Sequence, residues 1–325
     1  TGEQRTEYSI ATTSMLYDGE NRRWDTETMR ALRIPERVFT DVDFAGTLRG
    51  RIREAVADEL GISRVPFAAV GSHDTASAVA AIPGEGNFAF CSSGTWSLFG
   101  AESEKPVKTQ AVFDANFSNE GTVQGTFRLL KNIMGLWLVQ ECRRDWQKQG
   151  IFLSYDEIDA QAKASTGLVS IIDTDDTSFY AAGNMQKKIQ QFCERTHQPV
   201  PQTVGEVART IYDSLALKYR FALETLEGYR GKRIDQLNIV GGGTKNKLMN
   251  QLAADATGRT VVAGPIESAC VGNLLMQAVA LGELKNVEEA RAVVRASFAT
   301  ETYESHRTQQ WEDAYEKLLG FMKKA

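Results

Sequence analysis

The turn Gly71-Ser72-His73-Asp74-Thr75 is where this sequence gathers groups able to move a proton. It follows the short apolar run Pro66 to Val70 and precedes the alanine-rich run Ala76 to Ala81, so the economical reading is strand, turn, helix. Such a junction sets its side chains at the carboxyl end of a strand, where open α/β sheets bind their ligands. Asp74 is the only acidic group in the turn, at a helix N-terminus whose dipole favours an anion. It is the candidate general base, able to take the proton of a substrate hydroxyl. Capping explains the same residues, because Asp and Ser are ordinary N-caps. The local pattern leaves both readings open.

Three further places carry candidate ligand contacts. Phe88 to Phe99 is two short apolar runs joined by Ser92-Ser93-Gly94-Thr95, the signature of a hairpin in which Gly94 permits close backbone approach. A turn of small residues with a hydroxyl and free amides can hold a phosphate, and it can equally be only a turn. Gln236 to Val240, Gly241-Gly242-Gly243 and then Lys247 to Ala256 predict a strand, a glycine loop and a helix, where the backbone can come within contact distance of a flat or charged ligand. The loop fits neither GxxxxGK[ST] nor GxGxxG, which disfavours those two folds. Asn132 and Gln140 are predicted on related faces of one helix over 132–149, roughly 12 Å apart along its axis. That separation suits the two ends of an elongated substrate pair. Solvent-facing or capping roles account for them as well.

The elements that must position these groups follow from periodicity and breakers. Helices are predicted over 24–35 (Met29, Leu32 and Ile34, stopped by Pro35) and over 47–60, where Leu48, Ile52, Val56 and Leu60 recur until Gly61. Others are predicted over 155–164, over 203–229 with Val207, Ile211, Leu215, Leu217 and Phe221 as the buried side, and over 268–281 with Gly272 where a neighbour packs closely, and the end from Val287 reads as two amphipathic helices. Further strands are predicted over 127–131, 169–172 and 260–263. The loop from Ile82 to Asn87 is the candidate domain boundary.

At 325 residues, 42% hydrophobic and 24% charged, the chain has material for two lobes and a sizeable core. A net charge of -5 disfavours nucleic acid and anionic membrane as partners. Cys91, Cys142, Cys193 and Cys270 are far apart, without a CxxC pair, and only three histidines accompany them. A reduced, cytoplasmic setting is therefore expected, with neither a zinc site nor a disulfide framework. The chain opens without Met and runs at once into the polar stretch Thr6 to Thr13, which reads as the middle of a longer protein.

Taken together, Gly71 to Ser77, Ser92 to Ser97, Lys131 to Trp137 and Ile239 to Gly243 resemble, in the same order over essentially the whole chain, the FGGY carbohydrate kinases. Within that family the His73 to Ser77 and Lys131 to Trp137 strings are most similar to the branch acting on L-rhamnulose. The resemblance implies an α/β fold of two ribonuclease-H-like lobes, the actin, hexokinase and Hsp70 architecture. It also implies transfer of phosphate from ATP, with Mg2+, to the 1-hydroxyl of L-rhamnulose. Carried over residue by residue, the catalytic base falls on Asp74, and sugar contacts fall on His73, Asp74, Thr75 and Asn132. Nucleotide contacts fall on Thr95, Gln140 and Gly242, with Thr95 at the phosphates. The alternatives are a kinase of another ketose, such as L-fuculose or a ketopentulose, and a non-catalytic half that binds nucleotide or a partner.

One departure has consequences for activity. Family members carry most of a first lobe ahead of the Thr6 stretch, with a phosphate hairpin and part of the sugar pocket. Residues 1–84 are thus expected to be the tail of the first, sugar-binding lobe and 85–325 the second, nucleotide-binding lobe. The chain alone is expected to lack ketose phosphorylation. Only Cys193 matches a position where some members carry extra cysteines, so the resemblance assigns no disulfide.

Overall fold

The breaker-rich loop after Ala81 reaches Glu85, where the chain leaves one compact unit for another. In the computed structural model, which describes residues 1–322, the first unit is built from 1–85, 100–130 and 267–299, and the second from 86–99, 131–266 and the segment from 300 onward. By contact, residues 100–130 and 267–299 therefore group with 1–85, a grouping that a single cut after residue 84 does not draw.

In the first unit the strand Pro66–Ala69 pairs antiparallel with Thr47–Arg51 and leads through the polar turn into the helix Asp74–Ala80. The run of small residues there serves close packing. Ala76, Ala80 and Ala81 lie in one cluster with Leu275 and Met276 of the helix Ser268–Ala280 and with Val287, Ala290 and Val294 of the helix Val287–Ser297. A Cβ on Gly272 would stand 1.8 Å from the Ser77 carbonyl oxygen, so the expected close neighbour is the helix that begins at Asp74.

Two helices predicted in this unit are corrected. Residues 47–60 are a strand, Thr47–Arg51, followed by a helix, Glu54–Leu60, and Leu48, Val56 and Leu60 are 52%, 41% and 62% exposed. Their four-residue spacing spans two elements, because pairing with Pro66–Ala69 draws the first half into a strand and Gly50 stands at φ +90°. Gly61 does end the helix, in the left-handed conformation of a C-cap. The helix expected over 24–35 is confined to Thr26–Ala31, capped by Asp25 at its start; Met29 is buried and Leu32 is exposed.

In the second unit Gln236–Val240 lies parallel between Phe88–Ser93 and Thr260–Ala263, with Glu301–Tyr303 antiparallel on the outer edge of the latter. On the other side the strand order continues through Trp96–Ser103 to Phe127–Met134, whose residues 131–134 belong to this unit. The 27-residue helix Val204–Arg230 begins with a capping box between Thr203 and Glu206 and packs against the helices Tyr155–Ala164 and Lys247–Thr257. Of the five side chains expected on its buried side, Val207, Ile211, Leu215 and Leu217 are fully buried, each contributing about 2 kcal/mol of burial, while Phe221 is only partly buried.

The strand predicted over 169–172 is absent, although Ser170, Ile171 and Ile172 are buried. Side chains take the place of a partner strand: Gln198 Oε1 and Ser214 Oγ accept from the Ile171 and Ile172 amides, each at 2.9 Å. The end of the chain also carries a strand, Glu301–Tyr303, between the two expected helices. Residues 323–325 of the second of these helices lie outside the described ones. The four cysteines are free, three of them buried. Among the described residues no helix is long and apolar enough to cross a membrane.

Candidate active site

The turn of the first unit is held from below by two residues that the sequence reading passed over. Glu7 Oε2 accepts the Ser72 amide at 3.0 Å and the hydroxyl of Ser9, and Ser9 Oγ in turn accepts the His73 amide at 3.1 Å. Both side chains are buried. Gly71 has room for no side chain, because a Cβ would come within 2.9 Å of Ser77 Oγ and of Val123. Thus the strand end, the turn and the first turn of the helix are tied together by buried hydrogen bonds.

On this base His73, rather than Asp74, is the N-cap: its Nδ1 accepts the Thr75 amide at 3.2 Å. Asp74 is the first helical residue. Its Oδ1 accepts from the Thr75 amide at 2.7 Å and the Thr75 hydroxyl at 3.3 Å, yet the side chain is 86% exposed. Asp74 is therefore oriented without being covered, which leaves its Oδ2 open to a substrate. Across the imidazole, His73 Nε2 lies 3.8 Å from Glu120 Oε2, and Glu120 is paired with the buried Arg128 at 3.2 Å. Burial, reinforced by the Arg128 guanidinium, lowers the His73 pKa from its usual 6.5. The ring is accordingly neutral at pH 7, with its proton on Nε2.

The second unit holds a cavity of about 580 Å³ lined by Thr95, Gln140 and Gly242, together with Asp159, Tyr212 and Asn246. The hairpin expected at Gly94-Thr95 is present between Phe88–Ser93 and Trp96–Ser103. Its carbonyls serve a second purpose. The helix Trp137–Lys148 has no side-chain N-cap, and the Leu136 and Trp137 amides donate instead to the carbonyl oxygens of Gly94 and Thr95 at 3.2 and 3.1 Å. One turn further on, Gln140 Oε1 accepts from the Thr95 hydroxyl at 3.3 Å. Two predicted residues 45 positions apart are thereby brought together.

The three glycines after Val240 have three different reasons. Gly241 takes φ +88°, and a Cβ there would stand 2.9 Å from the Ser93 carbonyl oxygen. A Cβ on Gly243 would fall 2.0 Å from Ser93 Oγ, so this glycine is needed for packing. Gly242 has nothing within 4 Å of its Cβ position and lines the cavity. Of the three, it alone keeps space free for a ligand.

Asn132 requires a correction. It is not on the helix with Gln140 but exposed on the strand Phe127–Met134, and it does not line the cavity. The 12 Å spacing along a common axis therefore does not apply. Except at Asn132 the strand is buried throughout, so it shows no alternation by which a strand is told from a helix. Its end is anchored by residues missed in the sequence: Asp175 Oδ1 accepts the Met134 amide at 3.0 Å, and Lys218 Nζ lies 2.7 Å from Asp173 and 3.0 Å from Asp175. A Cβ on Gly135 would meet Ser97 Oγ at 2.6 Å, and the helix starts only beyond it. A lysine within the apolar side of the long helix and an Asp-x-Asp loop were the available signals.

The family models divide the chain in sequence order, unlike the contacts, which group 100–130 and 267–299 with 1–85. The C-terminal-domain model of the FGGY family of carbohydrate kinases matches residues 89–281, and its N-terminal-domain model matches 1–81. The chain is 40% identical over 316 residues to a rhamnulokinase of Bacteroides thetaiotaomicron, covering 97% of this chain and 64% of that protein. It is 38% identical over 304 residues to a rhamnulokinase of Bacillus subtilis, covering 93% and 62%. The chain thus spans a little under two thirds of the length of the curated relatives it matches. Among solved structures, Plasmodium falciparum glycerol kinase with ADP superposes with a TM-score of 0.75 at 14% identity, over 99% of this chain and 63% of that one. A ligand-bound xylulose kinase of Lactobacillus acidophilus gives 0.72 at 15%, over 100% and 64%. With more than half of its length matched by the C-terminal-domain model alone, and with the fold of sugar and glycerol kinases, the chain belongs to the FGGY family of carbohydrate kinases.

Proposed function

We propose that these residues serve an ATP-dependent kinase that phosphorylates L-rhamnulose at its 1-hydroxyl, in rhamnose catabolism and in the cytoplasm. The observation that carries the reading is Asp74: a carboxylate held on one oxygen by Thr75 and open on the other, at the first position of the helix that follows the strand and turn. The identity to curated rhamnulokinases supports the choice of ketose. Residues 1–84 would serve mainly the sugar and 85–325 mainly the nucleotide, Asn132 being a sugar contact from the latter.

In this reading Asp74 takes the proton of the attacking hydroxyl while Thr75 keeps its carboxylate in place and His73, as the N-cap, holds the turn. His73 Nε2–H and the Asn132 amide are donors for ketose oxygens. The Thr95 hydroxyl and the backbone of its turn hold phosphate oxygens, and Gln140 orients Thr95. Gly242 gives the nucleotide room. The cradle fits a nucleotide, because the one glycine with an open Cβ position lines the same cavity as Thr95. Magnesium supplies charge neutralisation at the phosphates when MgATP is bound. Among the described residues no group of three or more His, Cys, Asp or Glu could hold a metal.

The test is phosphorylation by the full-length protein of a ketose panel, L-rhamnulose, L-fuculose and D-xylulose, with ATP and magnesium. The reading expects L-rhamnulose to have the highest kcat/KM and the product to carry phosphate on C1. A higher value for another ketose would replace the substrate, and no transfer to any would overturn the activity.

A further inference from the structure

One carboxylate in the cavity of the second unit has all its hydrogen bonds on a single oxygen. Asp159, from the helix Tyr155–Ala164, lines the cavity, and its Oδ1 accepts from the Tyr212 hydroxyl at 2.5 Å and from Asn246 Nδ2 at 3.0 Å. Neither donor is free to turn away. Tyr212 is buried on the long helix, and Asn246 Oδ1 accepts the Met249 amide at 2.8 Å as the cap of Lys247–Thr257. The direction of the Asp159 carboxylate is therefore set from two elements. Burial raises the Asp159 pKa, and that of Tyr212 lies well above 10, so the phenol remains a donor. Asp156 also lines the cavity and adds to the negative charge near Asp159. Among the described residues no cation pairs with Asp159, and no hydrogen bond reaches its Oδ2.

An ionised carboxylate oxygen accepts and cannot donate. A ligand group meeting it must bring a hydrogen; a carbonyl in its place would set two acceptors against each other, the situation in which polar sites discriminate most strongly. Phosphate oxygens are repelled for the same reason, which leaves the nucleoside. We infer that Asp159 determines nucleotide specificity, accepting a hydrogen bond from the nucleoside through either an exocyclic amine of the base or the ribose 2′-hydroxyl. This rests on the reading of the cavity as the nucleotide site.

The experiment is calorimetric titration of the full-length protein with ADP, with IDP, whose base has a carbonyl where adenine has the amine, and with 2′-deoxyADP. Wild type is expected to bind ADP at least about tenfold more tightly than one of the two analogues. Weak IDP binding assigns the base amine, and weak 2′-deoxyADP binding the ribose hydroxyl. In Asp159→Asn the preference should shrink to within roughly threefold, because the amide offers both a donor and an acceptor. If that variant does not fold, Tyr212→Phe, which frees the carboxylate from one of its two anchors, should narrow the same ratio. Wild type binding all three equally, or a folded variant keeping the wild-type ratio, would overturn the role of Asp159 and leave the nucleotide site standing. Binding of none would overturn both.

Discussion

His73 Nδ1 accepts the amide hydrogen of Thr75 at 3.2 Å, a bond that exists only while the imidazole is neutral. Burial, with Arg128 adding to it, depresses the folded pKa below the ordinary 6.5, against the opposing pull of Glu120, Asp74 and Glu7. The linkage has one sign: stability is fully present above about pH 6.5 and is lost as pH falls through the folded value, because the unfolded chain takes the proton more readily. Melting temperature should drop more between pH 7 and pH 5 in wild type than in His73→Asn, whose side chain can cap the helix without titrating. Equal declines in the two proteins would clear His73 of the effect.

Asp74→Asn in the full-length protein should lower kcat for ketose phosphorylation about 100-fold or more, with KM for both substrates nearly unchanged, the pattern for losing a general base. Steady-state kinetics over both substrates checks it. A variant keeping more than half of the wild-type turnover would leave Asp74 as a helix-end residue only.

The glycine loop makes a prediction that separates binding from folding. Gly242→Val places its side chain in open cavity space, so melting should be little changed while ATP affinity falls far more than ketose affinity. Gly243→Ala instead drives a Cβ onto Ser93 Oγ and should destabilise by about 1–3 kcal/mol. Thermal melts with nucleotide titrations distinguish the two, and a reversed pattern would reassign the glycines.

Lys218 is 2% exposed between Asp173 and Asp175. Lys218→Met would leave buried carboxylate charge without its cation, at a cost of about 3–5 kcal/mol. Urea unfolding monitored by circular dichroism measures it. A loss below about 1 kcal/mol would mean that water or Lys131 replaces the ammonium.

Local signals determined a good deal of this protein. The junction at Asp74, the hairpin at Gly94-Thr95, the strand, triple glycine and helix from Gln236, and the long helix from 203 all stand where periodicity and turn residues indicated, because each depends on neighbours a few residues away. The motif strings that indicated the family are local in the same sense. Tertiary structure decided what depends on distant partners. Pairing with Pro66–Ala69 turned 47–51 into a strand, and the anchor from Met134 to Asp175 keeps Asn132 off the helix of Gln140. Glu7 and Ser9 lie more than 60 positions from the turn they hold, Asp159 lies 87 from Asn246, and Ser93 tells Gly243 from Gly242. None of these leaves a periodicity or a spacing in the chain. A buried polar group must find a partner wherever the fold brings one, and which one it finds is set by packing rather than by order along the sequence.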